Sequence, residues 1–411
     1  MSIHPILAAL KKHKSAVLLI VLQIALTLAI VANALSIIGH SIERMSRPTG
    51  IEEDGLIRVL QQWPASPGSD DAADIKKFDA LQRADLETLR NLPDVKDAAA
   101  STSNPILSGY EAGDVSLGAS RKGKFVRAAY YYGDEHMRPV FGLRLTAGRD
   151  FYASEIRHGH GVPGSPVVIV SKPVADQLFP NGNALGQTVY QDGKPARIVG
   201  IVERLQTPKR GDSDWSFNSV LEPLRADDSW ASYVVRARPG RTAEAMREIH
   251  DALFALNPMR LMPEPYAGIH SFAEIRAAAY FPDRGMALLM SAICIILLSA
   301  TAAGIVGLSS FWVVQRHRQI GVRRALGARR IDILRYFQIE NFLIVVGGVT
   351  GGTALAFGLN AWLMTHYEMG HLPVIYVASG AIVVVALGQA AVLVPALRAS
   401  RVPPVAATRS L

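Results

Sequence analysis

Four long stretches without a charged side chain interrupt this chain, and its largest segment lies between the first stretch and the other three. The stretches are 15–42, 285–315, 341–367 and 369–397. Each is longer than the roughly 20 apolar residues with which a helix crosses the hydrocarbon of a bilayer. The sequence therefore predicts an α-helical membrane protein with four transmembrane helices in a one-plus-three order. The large segment, 43–284, then lies on one side of the membrane.

The basic residues predict which side that is. Lysines precede the first span, arginines fill the loop between the second and third, and arginines follow the fourth: Lys11, Lys12, Lys14, Arg316, Arg318, Arg323, Arg324, Arg329, Arg330, Arg335, Arg398, Arg401 and Arg409. Cytoplasmic loops carry the excess of Lys and Arg, so we predict both termini in the cytoplasm and the large segment on the other side of the membrane, periplasmic or extracellular. The net charge of +8 is then a sign of topology, and no nucleic-acid partner is expected.

The predicted segments, in chain order, are a cytoplasmic or interfacial N-terminal segment (1–14), a first span (15–42), a periplasmic domain (43–284), a second span (285–315), a cytoplasmic loop (316–338), a third span (339–366), a short periplasmic loop (367–372), a fourth span (373–397) and a cytoplasmic tail (398–411). Ala32-Asn33-Ala34 after an apolar run imitates a signal-peptide cleavage site. The run continues to Ile38, which favours an uncleaved anchor. The single cysteine, Cys294, lies in the second span, so the periplasmic domain is expected to have no internal disulfide.

The two ends of the large segment predict similar patterns of strand and helix. The predicted elements are a strand (56–62), a helix (77–92), a pair of strands (94–102 and 124–132), a strand (233–237), a helix (242–256) with Thr242 as its N-cap, and a strand (260–262). Together they predict a split β-α-β lobe, ferredoxin-like in outline. The region 141–223 predicts an inserted β-rich lobe, with its clearest strands at 167–170, 188–190 and 196–202. The fold class is thus a four-helix membrane protein with a large α+β periplasmic domain.

The cytoplasmic loop combines small residues with arginines. Gly321 and Gly327 flank Arg323, Arg324 and Ala325. Small residues permit close approach of a partner, and arginines present forked donors to carboxylates or carbonyls. Binding of anionic lipid is the alternative reading. Topology alone does not require glycine and alanine at these places, so contact with a partner protein is favoured.

Two parts of the sequence resemble known families. FGLRLTAGRDF (141–151) and PVVIVSKPVADQLFPNGNALGQTVYQDGKPARIVGIV (166–202) are similar to the periplasmic core domain of MacB-type ABC transporter permeases. RQIGVRRALGARRIDILRYFQIE (318–340) resembles the signature of FtsX-like permeases, although Gln319 stands where that family commonly has glutamate. The resemblance implies a coupling helix seated in a groove of an ABC ATPase subunit. Its contact residues would be Ile320, Gly321, Arg323, Arg324, Ala325, Gly327 and Ala328.

The third span and one loop of the large segment contain further candidate sites. Glu340 opens the third span, where an ionisable residue is a functional candidate or an interfacial cap. Glycines at four-residue spacing predict close helix packing in the same span: Gly347, Gly348, Gly351 and Gly352. They lack the Gly-Lys-Ser/Thr of a phosphate-binding loop. His158 and His160 lack the further ligands of a metal site.

The resemblance therefore implies a non-catalytic permease subunit of an ATP-driven MacB-like exporter, in a bacterial inner membrane with the large domain in the periplasm. No cofactor is expected on this chain, with ATP and Mg²⁺ bound by a separate ATPase dimer. A second permease copy or a related permease, a periplasmic adaptor and an outer-membrane duct are the other expected partners. The alternative is a subunit of an FtsX-like signalling, regulatory or lipoprotein-extracting ABC complex. The two-lobed periplasmic domain favours export.

Overall fold

The computed structural model describes residues 14–64, 72–107, 111–120, 123–159, 164–209, 214–226, 229–263, 267–367 and 371–401. The N-terminal segment before Lys14, His160 and most of the predicted tail lie outside the described residues. The chain forms two compact units. We call Met1–Met45 with Pro282–Leu411 the membrane unit, and Ser46–Phe281 the exported domain.

The helices and strands follow one another as the sequence broadly predicts. The helices are α1 (Lys14–Ser46), α2 (Ala72–Arg90), α3 (Met137–Phe141), α4 (Lys172–Leu178), α5 (Thr242–Leu256), α6 (Phe272–Ala279), α7 (Phe281–Gln315), α8 (His317–Ala325), α9 (Arg330–Tyr367) and α10 (Val374–Ser400). The strands are β1 (Leu56–Gln62), β2 (Val95–Ala100), β3 (Glu111–Ser116), β4 (Phe125–Gly133), β5 (Leu145–Gly148), β6 (Arg157–Gly159), β7 (Val167–Ser171), β8 (Thr188–Gln191), β9 (Lys194–Val202), β10 (Ser219–Ala226), β11 (Trp230–Ala237) and β12 (Gly268–Ser271).

Four helices of the described chain, α1, α7, α9 and α10, are long and apolar enough to cross a membrane. Their shared core consists of branched aliphatic residues and one tryptophan: Ile20, Ile24, Leu28, Ile305, Trp312, Ile344, Val345 and Val384. Among these helices, α7 buries the smallest share of its apolar window. Its exposed leucine and isoleucine side chains suit contact with lipid, since lipid tails are as apolar as they are.

The exported domain contains a four-stranded antiparallel sheet with the order β12-β1-β11-β2. In chain order its strands form two β-α-β units, β1-α2-β2 and β11-α5-β12. The apolar faces of α2 and α5 pack with the sheet in one core, in which Leu86, Leu89, Ile249 and Leu253 are buried. The register pairs Val59 with Tyr233 at the centre of the sheet.

The end of this sheet corrects two predictions. The expected strand 260–262 contributes only an isolated bridge between Gln62 and Leu261, and the fourth strand is β12. Proline at 263 has no N–H with which to extend a ladder. The N-cap of α5 is Arg241, which makes no side-chain cap, so Thr242 is the first helical residue instead of the predicted cap.

A buried polar network holds the segment around Arg260 in place of a strand. Arg260 Nη2 donates to Asp85 Oδ1 at 3.0 Å, and the Tyr233 hydroxyl donates to Asp85 Oδ2 at 3.0 Å. Gln61 Nε2 donates to the same Oδ2, and its Oε1 accepts from Arg260. Because each buried charge has a partner of opposite sign or a hydrogen-bond donor, the network fixes this segment to α2 and β1.

Six strands form a closed barrel beside this sheet. They pair in the order β4-β3-β8-β9-β7-β10, and β10 pairs in turn with β4, while β5 and β6 pair with β9 and β10. The barrel begins at Glu111, so the β-rich lobe is larger than the predicted 141–223. The predicted pairing of 94–102 with 124–132 is wrong. β2 joins the four-stranded sheet and β4 the barrel, with one bridge, Ser101 to Gly133, between them.

The barrel buries a carboxyl group. Glu222 of β10 is fully buried; its Oε1 accepts from Gln191 Nε2 at 2.7 Å and its Oε2 from the Ser165 backbone N–H at 3.5 Å. Glu111, which accepts a hydrogen bond from the Tyr132 hydroxyl, is a nearby negative charge, and Lys194 is a nearby positive one. Burial is the main cause that raises the pKa of Glu222 to about 7.

We expect the exported domain to become more stable as the pH falls. The folded state keeps the Glu222 proton up to about pH 7, whereas the unfolded chain loses it near its ordinary pKa of 4.5. The contribution of Glu222 to stability should therefore fall by about 3 kcal/mol as the pH rises through this window. Hydrogen exchange of β10 in the full chain in detergent measures the effect.

Glu222→Gln is the matched control for this pH dependence, because the amide has nearly the same shape and does not titrate. Burial also raises the pKa of Asp134, and its hydrogen bond to Asp97 raises that of His136. These two groups give a slope of the same sign, which the variant retains. An unchanged slope in Glu222→Gln would mean that Glu222 does not carry the expected titration.

Candidate functional site

The predicted cytoplasmic loop 316–338 is mostly helical. Arg316 is the single residue between α7 and α8, and α9 begins at Arg330. The Asp332 carboxylate accepts a hydrogen bond from the Arg329 backbone N–H at 2.9 Å, which caps the first turn of α9. The loop thus presents one short helix, α8, between two helices of membrane-spanning length.

One side of α8 packs against other helices of the membrane unit. Ile320 is 5% exposed and Gly321 is buried. Ile320 belongs to a core cluster with Val313, Ile333, Tyr336, Phe337, Ala396 and Ala399. Arg324 Nη1 donates to the Ser400 carbonyl at the end of α10 at 3.1 Å. Three of the predicted contact residues, Ile320, Gly321 and Arg324, therefore face the chain's own helices.

The other side of α8 is open. Leu326 just after its end is 83% exposed, and Val322 is also exposed. We call Arg318, Gln319, Val322, Arg323, Ala325 and Leu326 the outward face; all six are exposed. The Arg323 guanidinium lies over the Tyr336 ring, 5.0 Å from its centroid. Val322 and Leu326 are not among the predicted contact residues, although they flank the two arginines in VRRAL and are therefore apolar residues of a charged segment.

Gly327 is required by its backbone conformation. Its φ is +95°, in the left-handed region, and its N–H donates to the Arg324 carbonyl at 3.2 Å. The Ala328 N–H donates to the Arg323 carbonyl at 3.0 Å, so the two residues close the C-terminus of α8. A Cβ at Gly327 would meet no atom within 4 Å. Its role in the described structure is to end the helix, and Ala328 beside it is half-buried.

A cavity of about 110 Å³ separates part of α8 from α9. Its wall is apolar at Ile320, Ile333 and Phe337, and polar at Arg316, Gln319, Arg323 and Tyr336. This cavity and the outward face together offer apolar surface with guanidinium groups at its edge. Such a surface suits a protein partner that presents apolar and acidic side chains.

Glu340 forms a buried ion pair. The residue is 1% exposed, and Arg316 Nη1 lies 2.9 Å from its Oε1 and 2.7 Å from its Oε2. The pair joins the turn between α7 and α8 to the body of α9. The sequence predicts Glu340 as a candidate but does not identify Arg316 as its partner.

The four glycines of α9 lie along α1. A Cβ at Gly352 would lie 2.8 Å from the Ala25 carbonyl oxygen, and one at Gly348 would lie 2.5 Å from Ile24 Cγ2. At Gly347 and Gly351 the nearest atoms, on Val21 and Ala25, would lie at 3.9 and 3.6 Å. The absence of side chains at Gly348 and Gly352 lets the backbones of α1 and α9 approach closely.

The described residues contain no group of three or more His, Cys, Asp or Glu side chains that could hold a metal ion. His158 Nδ1 lies 2.7 Å from Asp79 Oδ1, in an ion-pair arrangement with a residue of α2. Cys294 is buried in α7 as a free thiol.

Two family models match the chain. The MacB-like periplasmic core domain matches residues 17–253, more than half of the chain, and the FtsX-like permease C-terminal matches residues 290–404. The second match includes α8, Arg316 and Glu340.

Individual relatives share less than a third of their aligned residues with this chain. The chain is 26% identical over 321 residues to the "Uncharacterized ABC transporter permease YvrN" of Bacillus subtilis, covering 75% of this chain and 76% of that protein. It is 29% identical over 231 residues to the "Macrolide export ATP-binding/permease protein MacB" of Neisseria meningitidis, covering 54% of this chain and only 34% of that protein. A crystal structure of the periplasmic region of MacB from Actinobacillus actinomycetemcomitans matches at 17% identity and a TM-score of 0.35, covering 57% of this chain and 97% of that one.

Proposed function

The chain belongs to the MacB-like periplasmic core domain family and carries an FtsX-like permease C-terminal region, and from this premise we propose that it is the permease subunit of an ATP-driven exporter. In this proposal a separate ABC ATPase dimer binds ATP and Mg²⁺ and drives the permease from the cytoplasm. The permease itself binds no cofactor, catalyses no reaction and transmits the motion to its exported domain.

The outward face of α8 is the observation that carries the proposal. It is a short, exposed surface between two helices of membrane-spanning length, and it combines Leu326 and Val322 with the guanidinium of Arg323. Its inner side is tied to α9 and α10, so force applied to α8 reaches those helices through packed contacts. A docking surface that transmits motion needs both properties.

The contacts between α1 and α7 support transmission to the exported domain, because these two helices adjoin that domain in the chain. Thr27 Oγ1 and Thr301 Oγ1 share a buried hydrogen bond of 2.8 Å, and Gln23 Nε2 donates to the Ala300 carbonyl at 3.2 Å. Farther along α1, Arg44 Nη2 lies 2.6 Å from Asp283 Oδ1. The two helices are joined at three levels and should move as a pair.

Contacts also connect the first and the last residues of the exported domain to each other. Arg276 of α6 lies 2.6 Å from Glu53 Oε1 and donates to the Arg47 carbonyl at 3.1 Å.

We propose to classify the four-stranded lobe as ferredoxin-like, since its sheet order and two β-α-β units match that outline. The inserted barrel favours an exporter over the FtsX-like signalling or lipoprotein-extracting alternative.

The proposal includes a membrane orientation and a set of partners. The termini and α8 face the cytoplasm of a Gram-negative bacterium, and the exported domain faces the periplasm. A second permease copy or a related permease completes the membrane dimer. A periplasmic adaptor and an outer-membrane duct complete the export route across the cell envelope.

Co-purification tests the proposed function. An affinity-tagged full chain, extracted from its own membranes in a mild detergent, should retain an ABC ATPase in about equal amount, as identified by mass spectrometry. The Leu326→Asp variant should no longer retain that ATPase. This loss would show that the wild-type chain retains the ATPase through the outward face and not by non-specific binding. A stable, monodisperse wild-type chain that never retains an ATPase would contradict the proposal.

A further inference from the structure

The turn from which α8 leaves α7 is held by a side chain and not only by its backbone. Arg316 is the single residue between the two helices. Its N–H donates to the Trp312 carbonyl of α7 at 3.0 Å, and its own carbonyl accepts from the Ile320 N–H of α8 at 2.9 Å. A connection of one residue can act as a hinge, because small changes in its φ and ψ re-aim the following helix.

The Arg316 guanidinium is fixed from two helices. It lies over the Trp312 ring of α7, with its Cζ 5.5 Å from the ring centroid. From α9 it meets both carboxylate oxygens of Glu340, and the Tyr336 hydroxyl at 3.4 Å. The Arg316 side chain is 13% exposed and that of Glu340 is 1% exposed. Separating them would leave a buried charge without a partner, so the pair resists bending of the turn.

We propose that Arg316 and Glu340 form an elbow clamp, a positioning pair that keeps α8 at a fixed angle to α7 so that force on α8 moves α7 and α9. The inference rests on the proposed function, because the force is supplied by the ATPase. Without the clamp, α8 still presents its outward face and still binds. The hinge at Arg316 then absorbs the motion before it reaches α7, which leads to the exported domain.

The clamp separates binding from transmission, and this separation distinguishes it from a docking contact. Docking residues such as Leu326 are exposed, whereas Glu340 is buried and faces the chain's own Arg316. Asn341 offers a matched control. It is the next residue of α9, it is also buried, and its Nδ2 donates to the Gly388 carbonyl of α10 at 2.9 Å. Asn341→Ala therefore removes a buried polar contact without touching the elbow.

The first test measures the elbow in the chain alone. In a Cys294→Ser background, spin labels at Val314→Cys on α7 and Ala325→Cys on α8 report the distance across the turn by pulsed electron resonance. Both positions are exposed, so labels fit without disturbing a core. Glu340→Gln should broaden the distance distribution, and Asn341→Ala should leave it narrow. An equally narrow distribution in Glu340→Gln would overturn the clamp, whatever the ATPase does.

The second test measures coupling with the ATPase present. Glu340→Gln should still co-purify with the ATPase but lose most of its stimulation of ATP hydrolysis, by a factor of about 5 to 150, which is the typical size of the coupling between two sites. The exchange Arg316→Glu with Glu340→Arg should restore part of the stimulation, which a purely structural loss would not allow. Full stimulation by Glu340→Gln would overturn the inference. Failure of the wild-type chain to bind an ATPase would instead refute the proposed function.

Discussion

Replacing Leu326 with aspartate should strongly weaken the binding of the ATPase to this chain, and with it the stimulation of ATP hydrolysis, while the chain stays folded in the membrane. Leu326 is the most exposed apolar residue next to α8, and it packs against nothing that the substitution would destabilise. Buried in a partner's groove, such a residue carries about 2 kcal/mol or more of binding, so the apparent affinity for the ATPase should fall about 30-fold or more. Titration of the ATPase against reconstituted chain measures this directly.

Leu185→Asp is the matched control, because Leu185 is likewise an exposed leucine but belongs to the exported domain. It should leave the affinity unchanged. If Leu326→Asp bound and stimulated the ATPase as well as Leu185→Asp does, the outward face would not be the contact.

Charge reversal at the two neighbouring arginines should have two different effects, because Arg323 faces outward and Arg324 faces the chain's own helices. Arg323→Glu should weaken ATPase binding and leave the membrane unit stable, because Arg323 is exposed and its guanidinium lies over the Tyr336 ring without a hydrogen bond to another helix among the described contacts. Arg324→Glu should loosen α8 itself, because it replaces a donor to the Ser400 carbonyl with an acceptor. Proteolysis of the loop in membranes distinguishes these outcomes. Equal effects of both changes on α8 would contradict the assignment of the two faces.

The second large effect is expected at Gly352. A leucine here would be forced into the backbone of α1, where even a Cβ would lie 2.8 Å from the Ala25 carbonyl oxygen and 2.9 Å from Leu28 Cβ. A backbone atom cannot rotate away as a side chain does. The α1–α9 contact should open, with a loss of about 3 kcal/mol of stability in the membrane unit, at the upper end of the usual cost of overpacking. The thermal midpoint of the chain in detergent measures the loss.

Gly358→Leu in the same helix provides the comparison, since a Cβ at Gly358 would meet no atom within 4 Å. Removing a glycine from a helix interior is favourable by roughly 1 kcal/mol, so this variant should be neutral or slightly stabilised. Opposite signs at two glycines of one helix would identify the α1 contact as the cause. Similar losses of stability in Gly352→Leu and Gly358→Leu would mean that α9 does not tolerate leucine at its glycines in general, whether or not they face α1.

Much of the architecture follows from local properties of the sequence. Uncharged length predicts the four candidate spans, and periodic apolar residues predict α2 and α5. The strands β7, β8 and β9 of the barrel were also predicted, at 167–170, 188–190 and 196–202. The prediction of which strands pair with each other was wrong. The sequence predicts both β2 and β4 as strands, and only contacts between distant residues assign them to different sheets.

The candidate site shows the same limit. The sequence singled out α8 and Glu340, but the two faces of a short helix cannot be told apart until its neighbours are known. Ile320 and Arg324 face inward because α9 and α10 lie beside them. The partner of Glu340 is 24 residues earlier in the chain, beyond the reach of helical spacing. Gly327 was selected for the correct residue type with an incomplete reason, since its positive φ was not visible in the sequence.

Site-specific cross-linking from α8 tests the central claim most directly. A photoreactive residue placed in turn at Arg318, Val322, Ala325 and Leu326, all on the outward face, should capture an ABC ATPase in native membranes. The same residue at Ile320, on the inward face, should capture only this chain's own helices. A helical pattern of capture, strong outward and absent inward, is the predicted result. Capture of no ATPase from any outward position, in membranes where the chain is folded and abundant, would contradict the claim that α8 is its contact with an ATP-driven partner.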